Sequence, residues 1–213
     1  MAFIGDNAIE VEPVDTDNIG SLANLMMAEL PGVSDLMVRQ QLGFALREFC
    51  RETDACVAEC RYIYAMGKPL HGGLRGFFVA NVPAGMALNT VLDVLIAGRH
   101  VPFDVIDGPV PLAVPKPWYC EDDHVIVKFS VVPKVGGEDC PKWFKDRYAE
   151  AIVAGAMFHL LSMTGKAWSD PQRAVQYGGK YHEAIGEAAY RRIGGSAVAG
   201  GTESAIPAGG LFM

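Results

Sequence analysis

Residues Tyr148–Tyr190 read YAEAIVAGAMFHLLSMTGKAWSDPQRAVQYGGKYHEAIGEAAY, and the periodicity of this stretch decides the architecture. Ala151, Gly155, Phe158 and Ser162 mark one apolar or small-residue stripe at helical spacing, and Ala174, Tyr177, Tyr181 and Ala188 mark a second. Two helices are therefore expected. Gly165 supplies a stop for the first, while Ser169-Asp170-Pro171 supplies a cap for the second, followed by a proline at an early helical position where a missing N–H is harmless. A hairpin of this kind cannot bury two apolar faces by itself and needs a third helix.

Working backwards, Ser34 caps that third helix, SDLMVRQQLGFALREFCRET, in which Val38, Leu42, Ala45, Leu46 and Phe49 recur at helical spacing. Arg39, Gln40, Arg47 and Arg51 lie mostly elsewhere on the helix. Before it, Ser21 to Leu30 forms a short helix capped by Ser21 and ended by Pro31-Gly32. Between the third helix and the hairpin the chain is β-like. Cys56–Ala65, Gly76–Val82, Thr90–Ile96 and His124–Val132 are rich in β-branched and aromatic residues and bounded by Gly, Pro, Asn or Asp, which predicts an antiparallel meander. Ala97-Gly98-Arg99-His100 and Asp107-Gly108-Pro109 are turns, and Pro111, Pro115 and Pro117 keep their stretch extended and out of any central strand.

The expected fold class is α+β. A helical platform, in which the helix of about 34–53 packs with the hairpin of about 142–194, carries an inserted antiparallel β lobe and extended termini. One chain unit accommodates all of it: an acidic N-terminal arm (1–20), helices (21–54), the β lobe (55–135), the hairpin (141–194) and a flexible Gly/Ala/Ser-rich tail (195–213). The arm carries Asp6, Glu10, Glu12, Asp15 and Asp17 and is expected to order only against a neighbour. The tail ends in Leu211-Phe212-Met213, an apolar cluster on a glycine-rich tether.

Composition narrows the function. The 213 residues carry a net charge of -7, which disfavours a surface built to grip a phosphate backbone. Five cysteines, Cys50, Cys56, Cys60, Cys120 and Cys140, are odd in number and too sparse for a secreted disulfide framework, which points to a reducing compartment. No signal peptide and no run of about 20 apolar residues is expected to direct the chain to a membrane.

Chemistry-bearing motifs are weak. Cys56-X-X-X-Cys60 with Cys120-X-X-X-His124 offers four zinc-ligand types, but on a strand the first pair stands about 13 Å apart, too far for one ion. Glu121-Asp122-Asp123 reads as a solvated turn, because three adjacent acids lack the spaced oxygens of a calcium loop. There is no Gly-X-Ser-X-Gly elbow, and Gly72-Gly73-Leu74-Arg75-Gly76 leads into a strand where a phosphate loop requires a helix. His159 sits between Phe158 and Leu160 and reads as a histidine satisfied by packing and one hydrogen bond. Lys142-Trp143-Phe144-Lys145 reads as inward aromatics with snorkelling lysines. No catalytic, cofactor or metal residue is assigned, and the enzyme alternative is a small metal-dependent hydrolase using Cys120, His124 and the adjacent acids.

The order of the parts carries more information. Leu30-Pro31-Gly32-Val33-Ser34, a helix ending Arg47-Glu48-Phe49-Cys50-Arg51-Glu52-Thr53, a β-rich middle, then Tyr148–Ala156, Trp168-Ser169-Asp170-Pro171 and Ala174-X-X-Tyr177-X-X-X-Tyr181 resemble, over about residues 30–194, the head-to-tail connector (adaptor or neck) proteins of tailed bacteriophages. The resemblance implies a non-enzymatic virion protein, assembled in the host cytoplasm. It implies a homo-oligomeric ring, usually twelve copies in this class, mounted beneath the portal protein and presenting a surface to the next tail or neck protein. Double-stranded DNA then passes through without sequence-specific binding, for which an acidic subunit is suited. A tail-completion or stopper ring shares this architecture. On this reading Leu211, Phe212 and Met213 are anchors for the portal or a neighbouring subunit, and Gly155, Ala156, Gly178 and Gly179 mark close helix packing, within a subunit or between subunits.

Overall fold

The structure, a computed structural model, describes residues 15–63, 68–69, 74–77, 82–103, 112–115 and 124–199. In chain order these form β1 (Thr16–Asn18), a 3-10 turn (Ile19–Leu22), α1 (Ala23–Glu29), α2 (Asp35–Thr53), β2 (Val57–Ile63), β3 (Lys68–Pro69) and β4 (Leu74–Phe77). There follow β5 (Met86–Ile96), β6 (Arg99–His100), β7 (Leu112–Pro115), β8 (His124–Pro133), β9 (Asp139–Pro141), α3 (Lys142–Leu161) and α4 (Pro171–Ala199). The chain is α+β with antiparallel sheets, as its periodicities predict.

Ser34 starts α2 as expected, its hydroxyl accepting from the Met37 N–H at 3.3 Å. The predicted stripe Val38, Leu42, Ala45, Leu46 and Phe49 is wholly buried. It packs on α3, α4 and β8 together, so α2 lies between the helical hairpin and the sheet. One hydrophobic core consequently runs from Tyr181 of α4 through Phe49 to Val127 and Phe129 of β8. Asp170 caps α4, accepting from the Gln172 and Arg173 N–H groups at 3.1 Å each, with Pro171 in the first helical position. Arg173 and the Tyr177 hydroxyl both reach Glu29, at 2.5 and 3.0 Å, and tie α4 back to α1.

The strands are antiparallel, but they do not follow one another as a meander. The larger sheet has the order β2-β8-β5-β6, with β8 inserted beside β2, and a second sheet has the order β3-β4-β7. Central placement suits β8: Val125, Val127, Phe129 and Val131 are all buried, whereas β6 is an exposed pair of residues at the edge. The turn at Ala97-Gly98 has φ of +48° and +76°, the left-handed pair that joins two strands of right-handed twist. β7, flanked by prolines, is an edge strand, as expected of that composition. The strand predicted at Gly76–Val82 is instead Leu74–Phe77, with 78–81 outside the described residues.

A polar link between the end of α2 and the sheet is Asp54. Its backbone is left-handed (φ +49°), and its carboxylate accepts from the Ser130 hydroxyl at 2.5 Å and the Asn89 amide at 2.7 Å. Asn89 sits at an irregularity in the β5–β8 register, between Leu88 and Thr90, which turns its side chain out of the ladder toward Asp54. Ser130 is fully buried, and its hydroxyl also accepts from the Thr90 N–H at 3.2 Å, so the Asp54 carboxylate provides the shortest of its hydrogen bonds.

Both terminal expectations need correction. The arm expected over 1–20 does not hold for residues 16–20, because β1 pairs with β9 of the same chain and Ile19 is fully buried, while residues 1–14 lie outside the described residues. Backbone pairing at that edge is reinforced by Lys145, which donates to Asp17 at 2.8 Å and to the Ser21 hydroxyl at 2.8 Å. Ser21 is thus not a helix cap; Asn18 takes that place, accepting from the Gly20 N–H at 2.8 Å. At the other end, α4 continues through Gly194 and Gly195 to Ala199, so the first five residues of the expected tail belong to the helix. Gly165, at φ +72°, lies in the hairpin loop and not at the helix stop, which falls at Ser162.

Asp17 gives this clip a pH dependence. Lys145, and then the Asn18 N–H, hold its carboxyl below the usual carboxylate range. The folded value is the lower one, so the stabilisation is fully present above the unfolded value of about 3.9 and is lost as pH falls through the depressed folded value. The gap in thermal midpoint between the wild type and Asp17→Asn is expected to shrink below about pH 3.9. A gap that stays constant across the acid range would contradict the Asp17–Lys145 link.

Candidate functional site: the helix-packing surfaces

The four small residues singled out in the sequence have different environments. A Cβ built on Gly155 would stand 2.6 Å from Cε2 and 2.8 Å from Cδ2 of Tyr181, so this glycine lets the Tyr181 ring approach the α3 backbone closely. Gly178 does the same in reverse, its hypothetical Cβ falling 3.0 Å from Cδ2 of Phe158. Ala156 is fully buried in the core. Gly155 and Gly178 are thus committed to the contact between α3 and α4 of one chain. Gly179 has nothing within 4 Å, and about two helical turns further on neither has Gly186.

Tyr181 locks this contact in place. Its hydroxyl donates to the Ala45 carbonyl at 3.0 Å and lies 3.2 Å from Glu48 Oε2. Burial, followed by the nearby Glu48 carboxylate, pushes the Tyr181 pKa well above its usual value, so the phenol remains a donor. Glu48 Oε2 also stands 3.3 Å from His159 Nε2, and the imidazole packs edge-on to Phe44 with ring centroids 5.1 Å apart. His159 is held by packing and one hydrogen bond, as its neighbours in the sequence suggest. The Glu48–His159–Tyr181 cluster joins α2, α3 and α4.

Two apolar stripes face outward. Leu36 and Phe44 are exposed on α2, two helical turns apart, and Val175 and Tyr190 are exposed on α4 along the side that carries Gly179 and Gly186. With no side chains at Gly179 and Gly186, this side of α4 presents bare backbone that another helix can approach closely.

The metal-ligand pattern is not assembled by what is described. Cys56 precedes β2 and Cys60 lies within it, both fully buried, while His124 is exposed at the start of β8. Among the described residues no group of three His, Cys, Asp or Glu side chains is placed to hold a metal ion. Cys120 and Glu121-Asp122-Asp123 lie outside the described residues, as do Leu211, Phe212 and Met213. Cys50 and Cys140 are deeply buried, and burial pushes both thiols up, Cys140 to about 12, which keeps them protonated and unreactive. Among the described residues no helix is long and apolar enough to cross a membrane.

A scan against protein-family models finds no match to this chain, and a search of curated proteins finds no significant match.

Proposed function

We propose that the chain is a structural subunit of a tailed-phage virion, a head-to-tail adaptor that assembles as a ring beneath the portal, in the neck. The observation that carries this reading is the order of parts. A capped helix and a C-terminal hairpin form one helical platform although the whole β region is inserted between them in the chain. That is the order by which the sequence resembles the connector family. The ring, of about a dozen copies as in that class, would join the DNA-filled head to the next tail or neck protein.

On this reading the outward side of α4, with Val175, Gly179 and Tyr190, is the lateral contact between neighbouring subunits, and Leu211, Phe212 and Met213 anchor on the portal or an adjacent copy. The net charge of -7 suits a ring through which DNA has to slide without being held. The role is non-enzymatic.

Gly179 separates subunit folding from ring assembly. Gly179→Ala meets no atom within 4 Å, and it is expected to stabilise the monomer by about 0.5–1 kcal/mol through helix propensity. Gly179→Trp is expected to leave the monomer folded, by circular dichroism and thermal melting, and to abolish closed rings in native mass measurement on portal-bearing heads. Rings that form normally with tryptophan at this position would remove α4 from the lateral interface.

A further inference from the structure

Between the start of α3 and the end of α4 lies a cleft of about 270 Å³ whose character differs from the rest of this acidic chain. Val57, Trp143 and Tyr148 give it an apolar and aromatic lining, and Arg147, Arg191 and Arg192 add three guanidinium groups. Arg191 is paired with Glu187 on its own helix, and Arg147 lies over the Tyr148 ring, 5.7 Å from its centroid. Among the described residues, neither Arg147 nor Arg192 has a carboxylate partner. Two guanidinium groups without a carboxylate partner among the described residues, beside an aromatic lining, fit a segment that is acidic and apolar at once.

We propose that this cleft receives residues 1–14 of the same chain. That segment, MAFIGDNAIEVEPV, holds Asp6, Glu10 and Glu12 with no lysine or arginine, interleaved with Phe3, Ile4, Ile9 and Val11. Ile9-Glu10-Val11-Glu12 alternates with period two, so an extended chain sets its apolar side chains on one face and its carboxylates on the other. The point of attachment fits as well. β1 runs antiparallel to β9 with Thr16 opposite Pro141, and the Lys142 N–H donates to the Asp15 carbonyl at 2.9 Å. The chain upstream of Thr16 is therefore directed toward the first turn of α3, where Trp143 forms one wall of the cleft. Fourteen residues span up to about 45–50 Å, so reach is not limiting, and the short tether gives the segment an effective concentration on the order of millimolar.

The test uses the full chain with a photoreactive benzoylphenylalanine replacing Ile9. Irradiation is expected to give monomer-sized products, with cross-links mapped by mass spectrometry to the peptides that carry Trp143–Tyr148 or Ala188–Arg192. In an Arg147→Gln/Arg192→Gln background the docking constant, and with it the cross-link yield, should fall roughly tenfold, the loss expected for two exposed ion pairs. Arg147→Lys/Arg192→Lys should retain most of the yield, which separates loss of charge from loss of fold. Cross-links elsewhere on the chain, an unchanged yield in the glutamine variant, or products found only at the size of two or more chains would overturn intrachain docking; the last would place the segment in a neighbour's cleft.

Discussion

Gly155→Val is expected to lower stability by about 3 kcal/mol or more, a large share of the roughly 5–15 kcal/mol available to a domain. The new Cβ would meet an entire edge of the Tyr181 ring, at 2.6, 2.8 and 2.9 Å from Cε2, Cδ2 and Cζ. The ring cannot swing aside, because its hydroxyl is bonded to the Ala45 carbonyl and its face is tilted against Phe49, with centroids 6.2 Å apart. Relief has to come from moving α4 off α3, which opens voids along the most extensive contact between two helices among the described residues. Gly155→Ala is milder, since a gain of about 1 kcal/mol in helix propensity offsets part of the clash. Tyr181→Leu in the alanine background should recover stability non-additively in a double-mutant cycle. A Gly155→Val protein that melts at the wild-type temperature would show that the two helices do not meet there.

Phe49→Ala is expected to cost about 3–5 kcal/mol, and with it a drop in thermal midpoint of roughly 10 °C for a chain of this size. Phe49 is fully buried where α2, α3 and α4 converge, its ring 6.0 Å from Phe144, 5.0 Å from Tyr148 and 6.2 Å from Tyr181. None of these aromatics can collapse into the space without giving up its own contacts, so the cavity term is close to full. Phe44→Ala, five residues earlier on the exposed side of the same helix, is the control and should shift the melt by much less. Equal shifts for the two would mean that the helical platform is not organised around Phe49.

The difference between these two phenylalanines was legible in the sequence, because 3.6-residue periodicity assigns Phe49 to the apolar stripe and leaves Phe44 off it. The same periodicity found the α3–α4 hairpin, the Ser34 cap and the Asp170-Pro171 start. What it could not supply was partner choice. β8 lies next to β2 in space though 60 residues lie between Ile63 and His124, and nothing local in either strand specifies that pairing over a meander. β1 was missed because three residues are too few to show any period. Among the small residues, the sequence alone does not separate inward from outward positions. Gly178 and Gly179 are adjacent, yet a turn of about 100° sends one against Phe158 and the other to the outside. The Asp54–Ser130–Asn89 link joins three residues distant in sequence and left no motif, apart from an aspartate directly after a helix.

Those outward and inward glycines bear on the proposed ring in opposite ways: Gly155 and Gly178 pack within the subunit, and Gly179, with nothing within 4 Å, is the one the proposal gives to a neighbour. The reading as a whole turns on attachment to the head. Purified protein should be mixed with DNA-filled, tailless heads that carry the portal, and the portal vertex imaged by electron microscopy beside a variant lacking residues 200–213. The account predicts a closed ring of added density beneath the portal for the full chain, and weakened or lost attachment for the truncated one. Heads whose portal vertex stays bare at saturating protein would contradict the adaptor function, and full attachment of the truncated chain would remove Leu211, Phe212 and Met213 from it.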